Sequence, residues 1–115
     1  MRVTTELWIS SVVRRAFSSG GYAVIARRGA AEAGTVMILV RDRFGETTLY
    51  GPAPQTSYDD AKPEERRFVE LLRTTEDDAV QARIDRELRF DPDVWVLDLD
   101  VDQPTFASII SVTTP

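Results

Sequence analysis

Neither cysteine nor histidine occurs anywhere in this chain of 115 residues. Disulfides, thiolate nucleophiles and thiolate metal sites are therefore excluded. The imidazole base on which Ser-His-Asp and Cys-His catalysis depends is missing as well. Zinc loses its two main protein ligands. Lysine occurs once, at Lys62, so acid–base chemistry would fall to carboxylates, to that lysine and to tyrosines. Long apolar runs are also absent. The longest, Val36 to Val40, is far short of the ~20 residues that span a bilayer. Arg2, Thr4, Thr5 and Glu6 near the start leave no room for the apolar stretch of a signal peptide. A cytoplasmic protein of bacterial type, without membrane association, is expected. There is no Gly-x-Gly-x-x-Gly, no Walker loop and no EF-hand loop. In Gly29-Ala-Ala-Glu-Ala-Gly34 the glycines are wrongly spaced for a dinucleotide fingerprint. No cofactor and no metal are expected.

What is present suits one small domain. Hydrophobic residues make up 43% of the chain, enough for a core that needs no covalent staple. The formal charge of −5 is unevenly spread. Residues 1–58 hold seven arginines against four acids, a net of +3; residues 59–115 hold seven basic residues against fifteen acids, a net of −8. The overall acidity argues against nucleic-acid binding, while the basic first half leaves room for a local anion site.

Thr4 suits an N-cap and Glu6 a first helical turn. Trp8, Ile9, Val12, Val13, Ala16 and Phe17 then recur at helical spacing, with Leu7 and Arg14 turned away and Gly20-Gly21 as a stop. A helix over 4–19 is predicted. Residues 22–28, 35–41 and 46–50 read as strands. The second is apolar enough to be covered on both faces, and Asp42-Arg43-Phe44-Gly45 makes a hairpin turn. Together they suggest an antiparallel meander, broken by Gly51-Pro52-Ala53-Pro54. Residues 66–73 fit a helix or a strand, with the balance towards a strand. Thr75 to Asp78 matches a capping box ahead of the stripe Val80, Ile84 and Leu88, which predicts a helix over 76–90. Trp95, Leu97, Leu99 and Val101 alternate with Asp98, Asp100 and Asp102, as on a strand with one buried face. The expected fold is α+β, a mostly antiparallel sheet of four or five strands packed against two helices. Ile9, Val13, Ile38, Leu97 and Leu99 should share its core. Residues 1–102 form the single domain, and 103–115 a low-charge tail that serves as an edge strand or a partner-binding segment.

Few residues suggest chemistry. Arg15 and Arg28, one from each arginine pair, could clamp a carboxylate or phosphate; arginines in this setting also serve as solvated or ion-paired surface groups. Tyr50 and Gln55 flank a stiff Gly-Pro-Ala-Pro stretch that could present a binding surface or simply steer the chain over the sheet. Asp91 and Asp93 surround Pro92. They could act as a carboxylate pair, or the three residues could form a structural corner.

The ordered set Leu7-Trp8, Arg14-Arg15, Gly20-Gly21, Arg28-Gly29, Ala33-Gly34, Leu49 through Gln55, and Phe90-Asp91-Pro92-Asp93 with Trp95 resembles a family of small alphaproteobacterial proteins, the domain of unknown function 1491. Nearly all of residues 1–102 takes part. Tyr-Gly-Pro-Ala-Pro-Gln and Phe-Asp-Pro-Asp-x-Trp are the most specific stretches. The resemblance implies a cytoplasmic bacterial protein and supplies no mechanism.

Two functions from different classes follow. The first is a non-catalytic binding or adaptor protein that binds an unidentified protein partner or self-associates as a homodimer through an edge strand or the tail. The second is an enzyme or sensor for a small anionic ligand, held by first-half arginines with a carboxylate for proton transfer.

Overall fold

The computed structural model describes residues 3–54 and 66–114. Helix α1 (Thr5–Ser18) begins as its sequence suggests. Thr4 Oγ1 accepts a hydrogen bond from the Leu7 amide at 3.2 Å, which satisfies one of the amides that a helix start leaves open. Ile9, Val12 and Ala16 are buried beneath it, with Trp8 and Val13 partly so. Phe17 departs from the expected stripe and is 58% exposed, because in this last turn Ala16 alone is buried.

Six further strands and helices precede the last part of the chain. They are β1 (Tyr22–Arg27), β2 (Val36–Arg41), β3 (Thr47–Pro52), β4 (Arg67–Thr74), α2 (Asp77–Phe90) and then β5 (Trp95–Asp100). The 42–45 turn closes the β2–β3 hairpin. Asp42 Oδ1 accepts from the Phe44 and Glu46 amides, and Gly45 takes φ +86°. Strand β3 runs on to Pro52 rather than stopping at residue 50. Beyond Tyr50 it pairs with β4 alone, so the amide that Pro52 lacks is not required by β2. Residues 67–74 are the strand that the sequence favoured.

Helix α2 starts one residue later than expected and without the predicted capping box. Its N-cap is Glu76, whose side chain makes no capping bond, while Thr74 Oγ1 accepts from the Glu76 amide. Past β5 the aspartate column ends. Asp102 turns to cap α3 (Gln103–Ile109), its Oδ1 accepting from the Thr105 amide at 2.9 Å, with Pro104 in the first turn. The short β6 (Ser111–Val112) follows. Phe106 and Ile110 are buried in the core that α1 covers, so residues 103–112 pack onto the sheet.

The described residues thus form a six-stranded mixed sheet with three helices, in the order β1-β5-β2-β3-β4-β6. The expectation of four or five mostly antiparallel strands and two helices is corrected in these respects. β1–β5, β2–β3 and β3–β4 are antiparallel, whereas β2–β5 and β4–β6 are parallel. The meander therefore comprises β2, β3 and β4, and β1 is separated from β2 by β5. The cause is the pair of helical crossovers. Parallel strands cannot be joined by a tight turn, so α2 carries the chain from β4 back to the slot beside β2, and α3 carries it from β5 to the outer side of β4.

Alternation along the strands divides the core in two. Val36, Ile38, Trp95, Leu97, Leu99 and Phe68 face α1 and α3, joined by Ile9, Val12 and Ala16. Met37, Leu49, Val94 and Val96 face α2, joined by Val80 and Ile84. Four of the five predicted core residues, Ile9, Ile38, Leu97 and Leu99, are buried together; Val13 packs against them from the rim.

Candidate functional site

The residues singled out by sequence fall in separate places. Arg28, Asp91 and Asp93 gather at one corner, where β1 ends and β5 begins. The Arg28 guanidinium lies 5.1 Å from the centre of the Trp95 ring and 2.9 Å from Glu6. Asp91 accepts from Thr35 Oγ1 at 3.1 Å and from the Asp93 amide at 3.0 Å. The Asp93 carbonyl accepts from the Ala30 amide, and the Trp95 indole donates to the Ala30 carbonyl. Gly29 sits so close to the Asp93 carbonyl that no side chain would fit there. These contacts knit the 29–34 loop to the Asp-Pro-Asp turn.

Arg15 lies elsewhere and donates to the Ser108 carbonyl at 2.8 Å, tying α1 to α3. Tyr50 lies two strands from β5, its ring 5.2 Å from that of Phe106. Burial pushes the Tyr50 hydroxyl up, partly offset by Arg73. Gln55 lies outside the described residues.

A different site emerges on the α2 face. Helix α2 does not cover the whole sheet, and between it and the strands lies a cleft of about 150 Å³. Its apolar wall is formed by Leu39, Val80 and Ile84, and its polar lining by Arg41, Thr47, Asp77, Gln81 and Asp98. Arg41 bonds Asp77 at 2.9 Å, and Gln81 donates to Asp85. Asp98 reaches solvent, yet partial burial pushes its carboxyl above the ordinary value; Arg41 opposes that shift and Asp100 adds to it. Thr47 is only 4% exposed, and its Oγ1 finds no hydrogen-bond partner among the described residues.

Next to the cleft, no helix among the described residues covers this face of the sheet. Tyr22 and Val24 lie opposite Asp100 and Asp98 in the β1–β5 ladder and share their face, while Ala23 and Ile25 turn to the α1 core. Tyr22 is 49% and Val24 50% exposed.

Sequence reasoning placed Asp98 with Asp100 and Asp102 on one strand face and passed over Arg41, Thr47, Asp77 and Gln81 as site residues. The available signal was weak: polar residues flanking a hairpin, and an Asp77–Gln81 pair one helical turn apart beside Val80 and Ile84. Nothing in that pattern told which strand would lie beneath α2. Among the described residues, no group of three or more acidic side chains is placed to hold a metal ion. No described helix is long and apolar enough to cross a membrane.

The architecture recurs in solved structures. The solution structure of protein Atu0922 from A. tumefaciens matches with a TM-score of 0.82 at 36% identity, over 100% of this chain and 98% of that one. A crystal structure of a DUF1491 family protein from Caulobacter crescentus CB15 matches with a TM-score of 0.75 at 30% identity, over 96% of this chain and 99% of that one. An NMR structure of a DUF1491 family protein from the same organism gives 0.75 at 31% identity, over 98% of both chains. No curated protein matches the chain. Residues 3–107 match the family described as "Protein of unknown function (DUF1491)". The resemblance drawn from the Phe-Asp-Pro-Asp-x-Trp and Tyr-Gly-Pro-Ala-Pro-Gln stretches is borne out, and the chain belongs to the DUF1491 family.

Proposed function

We propose that this chain is a non-catalytic binding protein, a cytoplasmic adaptor whose recognition surface is the uncovered strip of the α2 face. The observation that carries this reading is the pairing of half-exposed Tyr22 and Val24 with Asp100 and Asp98. An apolar strip with an acidic flank suits a partner that is apolar on one side and basic on the other. The strip lies on the face of the sheet that α2 covers in part, so the partner is taken to be a basic amphipathic helix of another protein, laid on the same face.

A second copy suits this strip poorly. A two-fold contact would bring Asp98 and Asp100 of both copies into one interface, four like charges with no basic residue of the strip to offset them. A homodimer through β1, an outer strand of the sheet among the described residues, is distinct from this reading, and sedimentation over a wide concentration range tests it. The anionic-ligand alternative has less support. Arg15, Arg27, Arg28 and Arg41 each already donate to a carbonyl or carboxylate of the chain.

The test is an NMR titration of isotope-labelled protein with a synthetic amphipathic helix built of leucine and lysine. Its counterpart, in which glutamate replaces lysine, serves as the control. Shifts centred on the Tyr22, Val24 and Asp100 amides, weakened by salt and absent with the glutamate peptide, are expected. Equal response to both peptides, or shifts confined to another face, would overturn the reading.

A further inference from the structure

We infer that the cleft beneath α2 is a binding site for a primary alkylammonium group, with the ammonium held by Thr47 Oγ1 and the Asp98 carboxylate and the alkyl stem lying along Leu39, Val80 and Ile84. The inference goes beyond the docking reading and does not depend on it: the cleft shares Asp98 with the Tyr22–Val24 strip, but Thr47 and the Leu39–Val80–Ile84 wall belong to the cleft alone.

The lining selects the charge. Oxygen acceptors dominate it: the carboxylates of Asp77 and Asp98 and the hydroxyl of Thr47. The one cation, Arg41, is already drawn to Asp77 at 2.9 Å. An incoming anion would meet two carboxylates, and a purely apolar ligand would leave Thr47 Oγ1 as unpartnered as before. An ammonium group brings three donors and no acceptor. It therefore complements both the idle hydroxyl and a carboxylate whose charge is disfavoured by its partly buried setting.

The apolar wall selects the stem. Leu39, Val80 and Ile84 form a surface on which methylene groups can lie while the charged head stays among the oxygens. A volume of about 150 Å³ is comparable to a cavity that accepts a ligand of roughly six heavy atoms. That matches a short alkylamine or the end of a lysine side chain.

The probe is n-butylammonium chloride, titrated at neutral pH and followed by the amide shifts of Thr47, Ile84 and Asp98. Sodium butyrate, with nearly the same stem and the opposite charge, and butanol, with neither charge, are the comparators. Saturable shifts with the ammonium, and binding of butyrate and butanol weaker by about tenfold or more, are expected. Thr47→Val and Asp98→Asn should each weaken ammonium binding by about tenfold in a protein that remains folded. Capped lysine amide, run in parallel, shows whether a free amine or a lysine side chain is the better source of the group; either order is consistent with the inference. Absence of saturable shifts, butyrate or butanol binding as well as the ammonium, or unaltered affinity in both variants would overturn it. Failure here leaves the Tyr22 and Val24 amides to report independently on the docking strip.

Discussion

Thr47→Val is expected to raise the stability of the protein. The Thr47 side chain is 4% exposed and its hydroxyl has no partner among the described residues. A buried hydroxyl left unpaired costs ~1–3 kcal/mol. Valine has the same shape without the hydroxyl, so it fills the same space, and it is at least as comfortable in a strand. Taking the lower end of that range, the gain is about 1 kcal/mol. For 115 residues the unfolding entropy near 60 °C is about 0.24 kcal/mol/K, so this corresponds to a rise in Tm of about 4 °C. Differential scanning calorimetry reads this directly, and urea unfolding at 25 °C gives the independent free energy. A stabilising substitution that also abolishes ammonium binding would mark Thr47 as a residue kept for a ligand at the expense of stability. A lower Tm for Thr47→Val would mean that the hydroxyl is already satisfied in the folded protein, and the argument for the cleft would lose its foundation.

Gly29→Ala should be strongly destabilising, by ~3 kcal/mol, because the new methyl would collide with the Asp93 carbonyl, which is backbone and cannot swing away; a urea midpoint within error of the parent would refute the account of the corner. Asp98→Asn should alter the pH dependence of stability. Burial holds the folded carboxyl above its unfolded value, so the folded state keeps its proton more readily. The resulting stabilisation is present below the unfolded value of ~3.9 and is lost as pH rises through the folded value. In the variant this fall from acid to neutral pH should be smaller, as measured by urea unfolding at several pH values. A steeper fall would show that Arg41 outweighs burial.

Much of the local structure was legible because it depends on neighbours in sequence. Thr4 and the stripe from Trp8 to Ala16 contain the start and the buried face of α1. Asp42 and Gly45 supply the acceptor and the positive φ that the hairpin turn requires. The unbroken apolar run of β2 announced a strand covered on both sides, and Val36 and Ile38 do face α1 while Met37 faces α2. The errors share a different origin. Phe17 continues the helical spacing of α1, but whether a residue at the end of that stripe is covered depends on what packs there. Thr75 has the pattern of a capping residue, yet Thr74, in the strand just before, makes the bond to the Glu76 amide instead. The tail concealed a helix because its start signal is one Asp102 followed by Pro104, within a stretch otherwise rich in β-branched residues.

The candidate site shows the same division more sharply. Arg41, Thr47 and Asp98 come from three strands, and Asp77 and Gln81 from a helix that crosses beneath them. Each is unremarkable in its own segment. The amino-acid order by itself determined α1, α2, the strands from β1 to β5, the apolar face of most of them, and the absence of thiol and imidazole chemistry, because those follow from composition and from spacing along one element. Only the tertiary structure decided that β5 slots between β1 and β2, which strip of sheet α2 leaves open, and that one buried hydroxyl and one carboxyl line the same cleft. Those outcomes depend on contacts between residues far apart in the chain, where no local periodicity carries the information.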